Sequence, residues 1–459
     1  GGKLVTGDSN GQSFSWGGFA TDTRQDVIGK LFIALRGEKF DAHDFVSEAL
    51  AKGASGLLVS RFEPHALSIP VVLVDDTLIA LQKLALFWRK KNSAKIVAIT
   101  GSAGKTTTKE FTTKILQKRF CTHASKGSYN NHWGVPLSLL GIGSEHQVAV
   151  VEMGMNHSGE ITRLCKITEP DVTLVTNVGS AHIGELGSQE AIVQAKWEIF
   201  RASPHSIQIF NLADRNIQRM YQSSLQEGVK KIFTFTIGEE QGSLPNVDVR
   251  LSVVENGLDY LRVVGHIGGI KGEAVIKIFG RHNIGNVIAA ATVGLSLGMP
   301  AIEIWQALKD LQTIWGRNQI IQLASGARAL FDGYNANPES MAALLDNISQ
   351  LSQVGDRFLI LAEMLELGEH SSRYHEELGF SAGKVGAEGI WFMGEHQGDF
   401  AAGVKRSGYS KRLILSDAYK ENLATQFGSM LKDNDIVAIK GSRGMRPENV
   451  LRAWGLNDF

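Results

Sequence analysis

Three short apolar runs, Ile96–Thr100, Val148–Met153 and Val172–Val178, are separated by stretches of helical character. Runs this short and this continuous are what parallel strands buried on both faces require. Parallel neighbours must be joined by crossovers, so the alternation predicts a doubly wound α/β sheet. The pattern returns at Phe358–Leu361, Ile390–Met393, Arg412–Leu415 and Ile436–Ile439, and there predicts a smaller, Rossmann-like α/β unit. Between the two, Ser206–Phe279 is strand-rich, and Asn283–Leu297 reads as a helix closed by Gly298. Ahead of both, Gly56–Ser60 and Val71–Val74 are strand-like, and Asp76 is placed to cap a helix with Leu81, Leu84, Ala85 and Trp88 on one face. The basic end of that helix, Arg89-Lys90-Lys91, reads as solvated. The 459 residues thus divide into three α/β domains, 1–76, 77–314 and 315–459.

Composition narrows the function classes. With 43% hydrophobic and 20% charged residues, the chain has the means to bury cores. Lys plus Arg equals Asp plus Glu at 47 each, so the basic excess of a nucleic-acid binder is missing. No apolar run reaches the ~18 residues that would span a bilayer. Gly1-Gly2-Lys3 does not open a signal peptide. Only Cys121 and Cys165 occur, which points to a reducing, cytoplasmic home.

The residues Thr100–Thr108 read TGSAGKTTT, after the first apolar strand and before a helix with Phe111, Ile115 and Leu116 on its inner side. That context is the one a phosphate-binding loop requires. Gly101 and Gly104 let backbone N–H groups turn onto phosphate oxygens, with Ser102 and Ala103 between them, and the helix N-terminus adds partial positive charge. Lys105 supplies a point charge to the phosphates. Thr106, followed by Thr107, offers a hydroxyl to Mg²⁺. Position 99 is Ile rather than Gly, so the loop is shorter than the usual form.

Ligands of open α/β sheets sit at the carboxyl ends of the strands. Glu152, Thr176 and Asn177 end the next two strands and so face the same crevice. A strand-end Glu is often merely solvated, but beside a phosphate loop Glu152 is a hard oxygen ligand for Mg²⁺. His182 follows four residues after the third run. Lys196 shares a helix face with Val193 and Ile199. A lysine there either snorkels outward or is buried as a neutral amine. A neutral amine can add CO₂ to give a carbamate, an anionic oxygen ligand suited to a second Mg²⁺ beside His182.

These motifs together resemble the Mur ligase superfamily, ATP-dependent enzymes that join a carboxyl group to an amine in bacterial cell-wall precursor synthesis. The resemblance spans nearly the whole chain. It rests on TGSAGKTT, the Glu152 strand end, TNVGSAHIG (Thr176–Gly184), Ala195-Lys196, GRHNIGN (Gly280–Asn286), Arg317 and Asp332. Thr21–Phe45 and DGYNANPESM (Asp332–Met341) are similar to the branch that adds D-alanyl-D-alanine. The Gly-rich opening of the MurC and MurD branches and the D-N-P-R motif of the diaminopimelate-adding branch are missing. Departures from the branch pattern fall at His132-Trp133 and Ala362-Glu363.

The resemblance implies a ligase that adds D-alanyl-D-alanine to UDP-N-acetylmuramoyl-tripeptide through an acyl phosphate, using ATP and two Mg²⁺ ions. It implies Lys105 on the phosphates, Thr106 and Glu152 on one metal, and His182 with carbamylated Lys196 on the other. Asn283 and Asn286 would reach the adenine, and Arg317 and Asp332 would bring phosphate and ribose contacts from the third domain. Thr23, Arg24, Asp41 and His43 are candidates for the UDP-sugar end, and Asn131 and Thr176 for the peptide. Tyr334, Asn335, Lys440, Ser442 and Arg443 are candidates for D-alanyl-D-alanine. A monomer without nucleic-acid or membrane partners is expected. The split of ATP groups over two domains predicts closure. The alternatives are a Mur-type ligase with another amine, or a nucleotide-switch ATPase using the same loop.

Overall fold

In the computed structural model three sheets carry the chain, and residues 2–6, 14–37, 40–62, 69–179, 186–238, 247–351, 355–365 and 367–456 are described. The first sheet has the order β1-β5-β4-β3-β2, with β1 Lys3–Thr6, β2 Phe19–Ala20, β3 Leu31–Ile33, β4 Gly56–Val59 and β5 Val71–Leu73. It is parallel except for β1.

The second sheet has nine strands in the order β14-β13-β12-β11-β10-β9-β6-β8-β7. Six form its parallel part with the start of β12: β6 Lys95–Thr100, β7 Thr122–Ala124, β8 Val148–Glu152, β9 Val172–Val175, β10 Ile207–Asn211 and β11 Ile232–Ile237. Then β12 Val249–Asn256, β13 Leu261–Ile267 and β14 Ile270–Ile276 run as an antiparallel extension. The alternation expected from the apolar runs is present, because every residue of β8 and β9 is buried. One face is covered by the helices Lys105–Leu116 and Ile284–Ser296, and the other by Gly134–Leu140, Glu160–Thr168 and Gln189–Arg201.

The third sheet has the order β15-β16-β20-β17-β18-β19. Its strands are β15 Gln319–Gln322, β16 Arg328–Asp332, β17 Arg357–Ala362, β18 Gly389–Met393, β19 Arg412–Ser416 and β20 Ile436–Lys440, parallel apart from β15.

Two local expectations need correction. The strand read as Val172–Val178 ends at Val175. Thr176 N–H still donates to Thr100 O at 2.9 Å just past the strand, and the Thr176 and Asn177 side chains engage the phosphate loop, as described below. The helix Thr77–Lys91 is capped by Asp76, whose carboxylate accepts from Ile79 N–H at 2.9 Å. Of its basic end, Lys90 and Lys91 are exposed as expected, but Arg89 is not. Arg89 is largely buried and donates to the carbonyls of Thr168 (2.8 Å) and Glu169 (3.0 Å) and to the Asp171 carboxylate (2.9 Å). Those carbonyls lie at the C-terminal end of Glu160–Thr168, which lacks intrahelical partners and carries partial negative charge.

Candidate active site

The loop Gly101–Gly104 passes from β6 into the helix Lys105–Leu116. Gly104 has φ +77°, and a Cβ there would meet Asn286 Oδ1 at 2.2 Å. A Cβ on Gly101 would lie 1.9 Å from Thr176 Oγ1. Both positions therefore require glycine. The strand end of β9 holds the loop: Thr176 Oγ1 donates to Ala103 O at 2.6 Å, and Asn177 Oδ1 accepts from Ala103 N–H at 2.9 Å. Ser102 N–H donates to Asn177 O at 3.0 Å. The hydroxyl of Thr176, a candidate for the peptide, is thus engaged by the loop carbonyl. Lys105 Nζ reaches back to Gly101 O at 2.8 Å.

Glu152 is the last residue of β8 and is 1% exposed. Its carboxylate accepts from Thr106 Oγ1 (2.9 Å) and from Asn130 Nδ2 (2.7 Å). Arg317 Nη2 donates to Thr106 Oγ1 at 3.1 Å, and its guanidinium stacks 4.2 Å from the Tyr334 ring centroid. Arg317 and Tyr334 thus stand against the phosphate loop. Asp332 and Lys440 form a buried ion pair at the ends of β16 and β20, and Lys440 also donates to Asn335 O at 3.0 Å. Burial lowers the Lys440 pKa, while the Asp332 charge opposes that shift. Side chains from both domains line one cavity of about 460 Å³, including Lys105, Thr107, Glu152, Asn286, Asp332 and Tyr334. Its size is that of a small-molecule pocket.

Asn283 and Asn286 line this cavity in a connected series. Thr108 Oγ1 donates to Asn286 Oδ1 (3.1 Å), Asn286 Nδ2 to Asn283 Oδ1 (3.0 Å), and Asn283 Nδ2 to Phe279 O (2.9 Å). Beside them His282 is buried, which pulls its pKa down to about 4. Its Nδ1 lies 2.8 Å from Asn347 Nδ2 of the third domain. Since Asn347 Oδ1 accepts from Arg281 N–H, the amide presents its NH₂ to Nδ1, and the Nδ2 atoms of Asn283 and Asn318 lie 3.2 Å from Nε2, so the neutral ring sits among amide donors.

Lys196 is fully buried in the helix Gln189–Arg201, and its Nζ has no hydrogen-bond partner among the described residues. Burial, reinforced by the Lys105 charge, holds its pKa well below the ordinary lysine value. The side chain does not snorkel. His182 lies outside the described residues. Among those described, no group of three or more His, Cys, Asp or Glu side chains gathers as a metal cluster.

A second cavity, of about 660 Å³, opens between the first two domains. Thr23, Arg24, Phe40 and Phe45 line it from one side, and Asn131, His132 and Trp133 from the other. Asn131 Oδ1 also accepts from Gly134 N–H at 2.9 Å at the start of the next helix. Asp41 and His43 do not line this cavity. Asp41 accepts from His43 Nδ1 at 2.6 Å, and His43 Nε2 accepts from Ser60 N–H at 2.9 Å, so the pair ties the 3₁₀ turn Ala42–Phe45 to the end of β4. Ser442 and Arg443 likewise stand outside the first cavity. Ser442 Oγ accepts from Leu365 N–H at 2.9 Å, and Arg443 stacks over Trp315.

Sequence reasoning missed Lys109, Ser128, His282 as an individual group, and Asn347. Lys109 carried a usable signal, since it shares a face of the phosphate-loop helix with Thr112, Thr113 and Leu116.

The family profile of the Mur ligase middle domain matches residues 99–294, and that of the Mur ligase glutamate ligase domain matches 316–443. The UDP-N-acetylmuramoyl-tripeptide–D-alanyl-D-alanine ligase of Escherichia coli (strain K12) is 34% identical over 98% of this chain and 96% of its own length. The chain belongs to this family of Mur ligases. The enzyme of the same name from Bacillus subtilis (strain 168) is also 34% identical, over 95% of this chain and 92% of its own. A crystal structure of MurF from Acinetobacter baumannii superposes with a TM-score of 0.83 at 30% identity, over 95% of this chain and 92% of that one. MurF ligase from Thermotoga maritima in complex with ADP gives 0.79 at 27% identity, over 95% of this chain and 96% of that one. The α/β architecture read from the apolar runs is thus that of the Mur ligases.

Proposed function

We propose that the chain is an ATP-dependent ligase that adds D-alanyl-D-alanine to UDP-N-acetylmuramoyl-tripeptide. The observation that carries this reading is the hydrogen bond of Arg317 to Thr106, which itself donates to Glu152, at the mouth of the phosphate loop. A simple ATPase switch needs no second domain there. The terminal carboxylate of the precursor attacks the γ-phosphorus, ADP leaves, and an acyl phosphate forms. The dipeptide amine then attacks the carbonyl carbon. The tetrahedral intermediate expels phosphate, and the amine's surplus proton goes to solvent.

The difficulty is to bring two anions together. Backbone N–H groups of the Gly101–Gly104 loop and Lys105 hold the phosphates. Arg317 adds a charge from the opposite wall. Thr106 and Glu152 are oxygen donors of the kind Mg²⁺ prefers, and Lys196, buried with no partner for its Nζ among the described residues, suits conversion to a carbamate that would hold a second ion with His182. The carbamate forms from the neutral amine and CO₂ with loss of one proton. When bound, the two ions would neutralise charge on the transferring phosphoryl group and the incoming carboxylate.

We assign Asn283 and Asn286 to the adenine and Asp332 to the ribose. Tyr334, Asn335 and Lys440 border the acceptor side. Thr23, Arg24 and Asn131 belong to the cavity we assign to the UDP-sugar end. We place the protein in the bacterial cytoplasm as a monomer. No helix among the described residues is long and apolar enough to cross a membrane, and the formal charge is zero.

Phosphate release with ATP and UDP-N-acetylmuramoyl-tripeptide tests the reading. Turnover that requires D-alanyl-D-alanine supports it. Equal turnover without the dipeptide favours an ATPase and overturns it.

A further inference from the structure

Lys109 is four residues past Lys105 on the phosphate-loop helix, and its side chain is wholly buried. A buried ammonium is costly unless each N–H finds an acceptor. This one donates to two carbonyls, Ser125 O at 2.6 Å and Gly127 O at 2.7 Å, and makes an ion pair with Glu110 Oε1 at 2.8 Å, three oxygens in all. Two of the three belong to the segment 125–133, which links β7 to the helix Gly134–Leu140. That segment delivers side chains to three places. Ser128 Oγ lies 3.3 Å from Thr106 Oγ1 and accepts from Tyr334 Oη at 2.5 Å. Asn130 donates to Glu152, and Asn131 starts the next helix.

The direction of these bonds is fixed. The Thr106 proton goes to Glu152, so Ser128 must donate to Thr106, and Tyr334 donates to Ser128. A directed series Tyr334–Ser128–Thr106–Glu152 therefore runs from the third domain to the end of β8. Each member polarises the next.

We propose that Lys109 is a positioning residue for the ligase reaction. Its buried ammonium grips the 125–128 backbone so that Ser128 stands between Thr106 and Tyr334, making the closed third domain and the phosphate loop one unit. The ammonium touches none of the reacting groups and acts through Ser128. Without it, two carbonyls lose their donor, the segment loosens, and the closed arrangement loses the Tyr334–Ser128 contact, while Arg317 still reaches Thr106. The phosphate cradle itself, made of loop N–H groups and Lys105, stays intact. The loss therefore falls on kcat rather than on the KM for ATP.

The test uses the full chain with ATP, UDP-N-acetylmuramoyl-tripeptide and D-alanyl-D-alanine, and compares Lys109→Met, Ser128→Ala, Tyr334→Phe and the Lys109→Met/Ser128→Ala double variant. Methionine keeps the apolar stem and removes the charge. The expected result is a kcat lower by about tenfold or more in Lys109→Met, since small misplacements at a reacting site have effects of that size or larger. The ATP KM stays within about threefold of the unsubstituted value. The double variant is no slower than the slower single one, because both changes break the same contact. A kcat in folded Lys109→Met equal to that of the unsubstituted chain overturns the proposal. So do losses that multiply in the double variant, which a general loss of stability would produce. Should Lys109→Met not fold, Ser128→Ala and Tyr334→Phe decide: lowered kcat with non-additive effects upholds the series, and unchanged kcat in both overturns it. The proposal rests on the ligase reading, which the unsubstituted chain tests in the same assay. An inactive unsubstituted chain overturns both, whereas an active one with indifferent variants overturns only the role of Lys109.

Discussion

Lys196 shows how a single side chain is placed by periodicity and then made unusual by burial. The helical spacing with Val193 and Ile199 turns it inward, and its Nζ has no hydrogen-bond partner among the described residues. Lys196→Ala is expected to lower ligation by at least about a hundredfold, the scale of losing one preorganised charge-stabilising group. Bicarbonate with short carboxylic acids should restore part of it; full activity in the variant would contradict the carbamate. His282 makes a pH prediction. Its folded pKa of about 4 lies below the ordinary 6.5, so the unfolded chain binds the proton more readily between those values. Stability is complete above pH ~6.5 and falls as pH drops toward ~4, by roughly 3 kcal/mol. Asp332 and Lys440 are the charges nearby, and His375, also held at about 4, adds to the same window. Denaturant titrations at stepped pH should show a shallower acid slope in His282→Gln.

At the scale of elements, what could be read from the sequence depended on whether a backbone rule or a long-range contact fixed the residue. The phosphate loop was legible because its glycines answer to φ and close approach, and because an apolar strand and a helix flank it. Gly104→Ala should reduce kcat/KM for ATP by about a hundredfold or more with the fold retained, since the Cβ would strike Asn286; isothermal titration with ADP checks the binding part. Asp41, His43, Ser442 and Arg443 have local partners that the sequence did not announce, because polar residues in loops carry no period. Their partners, Ser60, Leu365 and Trp315, could be known only from the fold. Arg89 was taken for a solvated charge for the same reason. The carbonyls it serves are about eighty positions away. Arg89→Ala should cost roughly 2 kcal/mol in unfolding free energy, the scale of charged hydrogen bonds lost from a largely buried group.

Across the whole molecule, three sheets are arranged so that no single domain holds a complete site. The first cavity takes side chains from the second and third domains, and the second cavity from the first and second. Arg317, Tyr334 and Asn347 join the third domain to the phosphate-loop side. Weakening that seam should favour open forms. Small-angle scattering of Arg317→Ala is expected to give a larger radius of gyration than the unsubstituted chain with ATP analogue and precursor, and superimposable curves would contradict closure through these contacts.

The acyl phosphate has a direct chemical signature. If the precursor's terminal carboxylate carries ¹⁸O, one labelled oxygen should appear in inorganic phosphate for each amide bond formed. That oxygen attacks the γ-phosphorus and leaves with it when the dipeptide amine displaces the group. Amide formation with phosphate free of label would contradict the account.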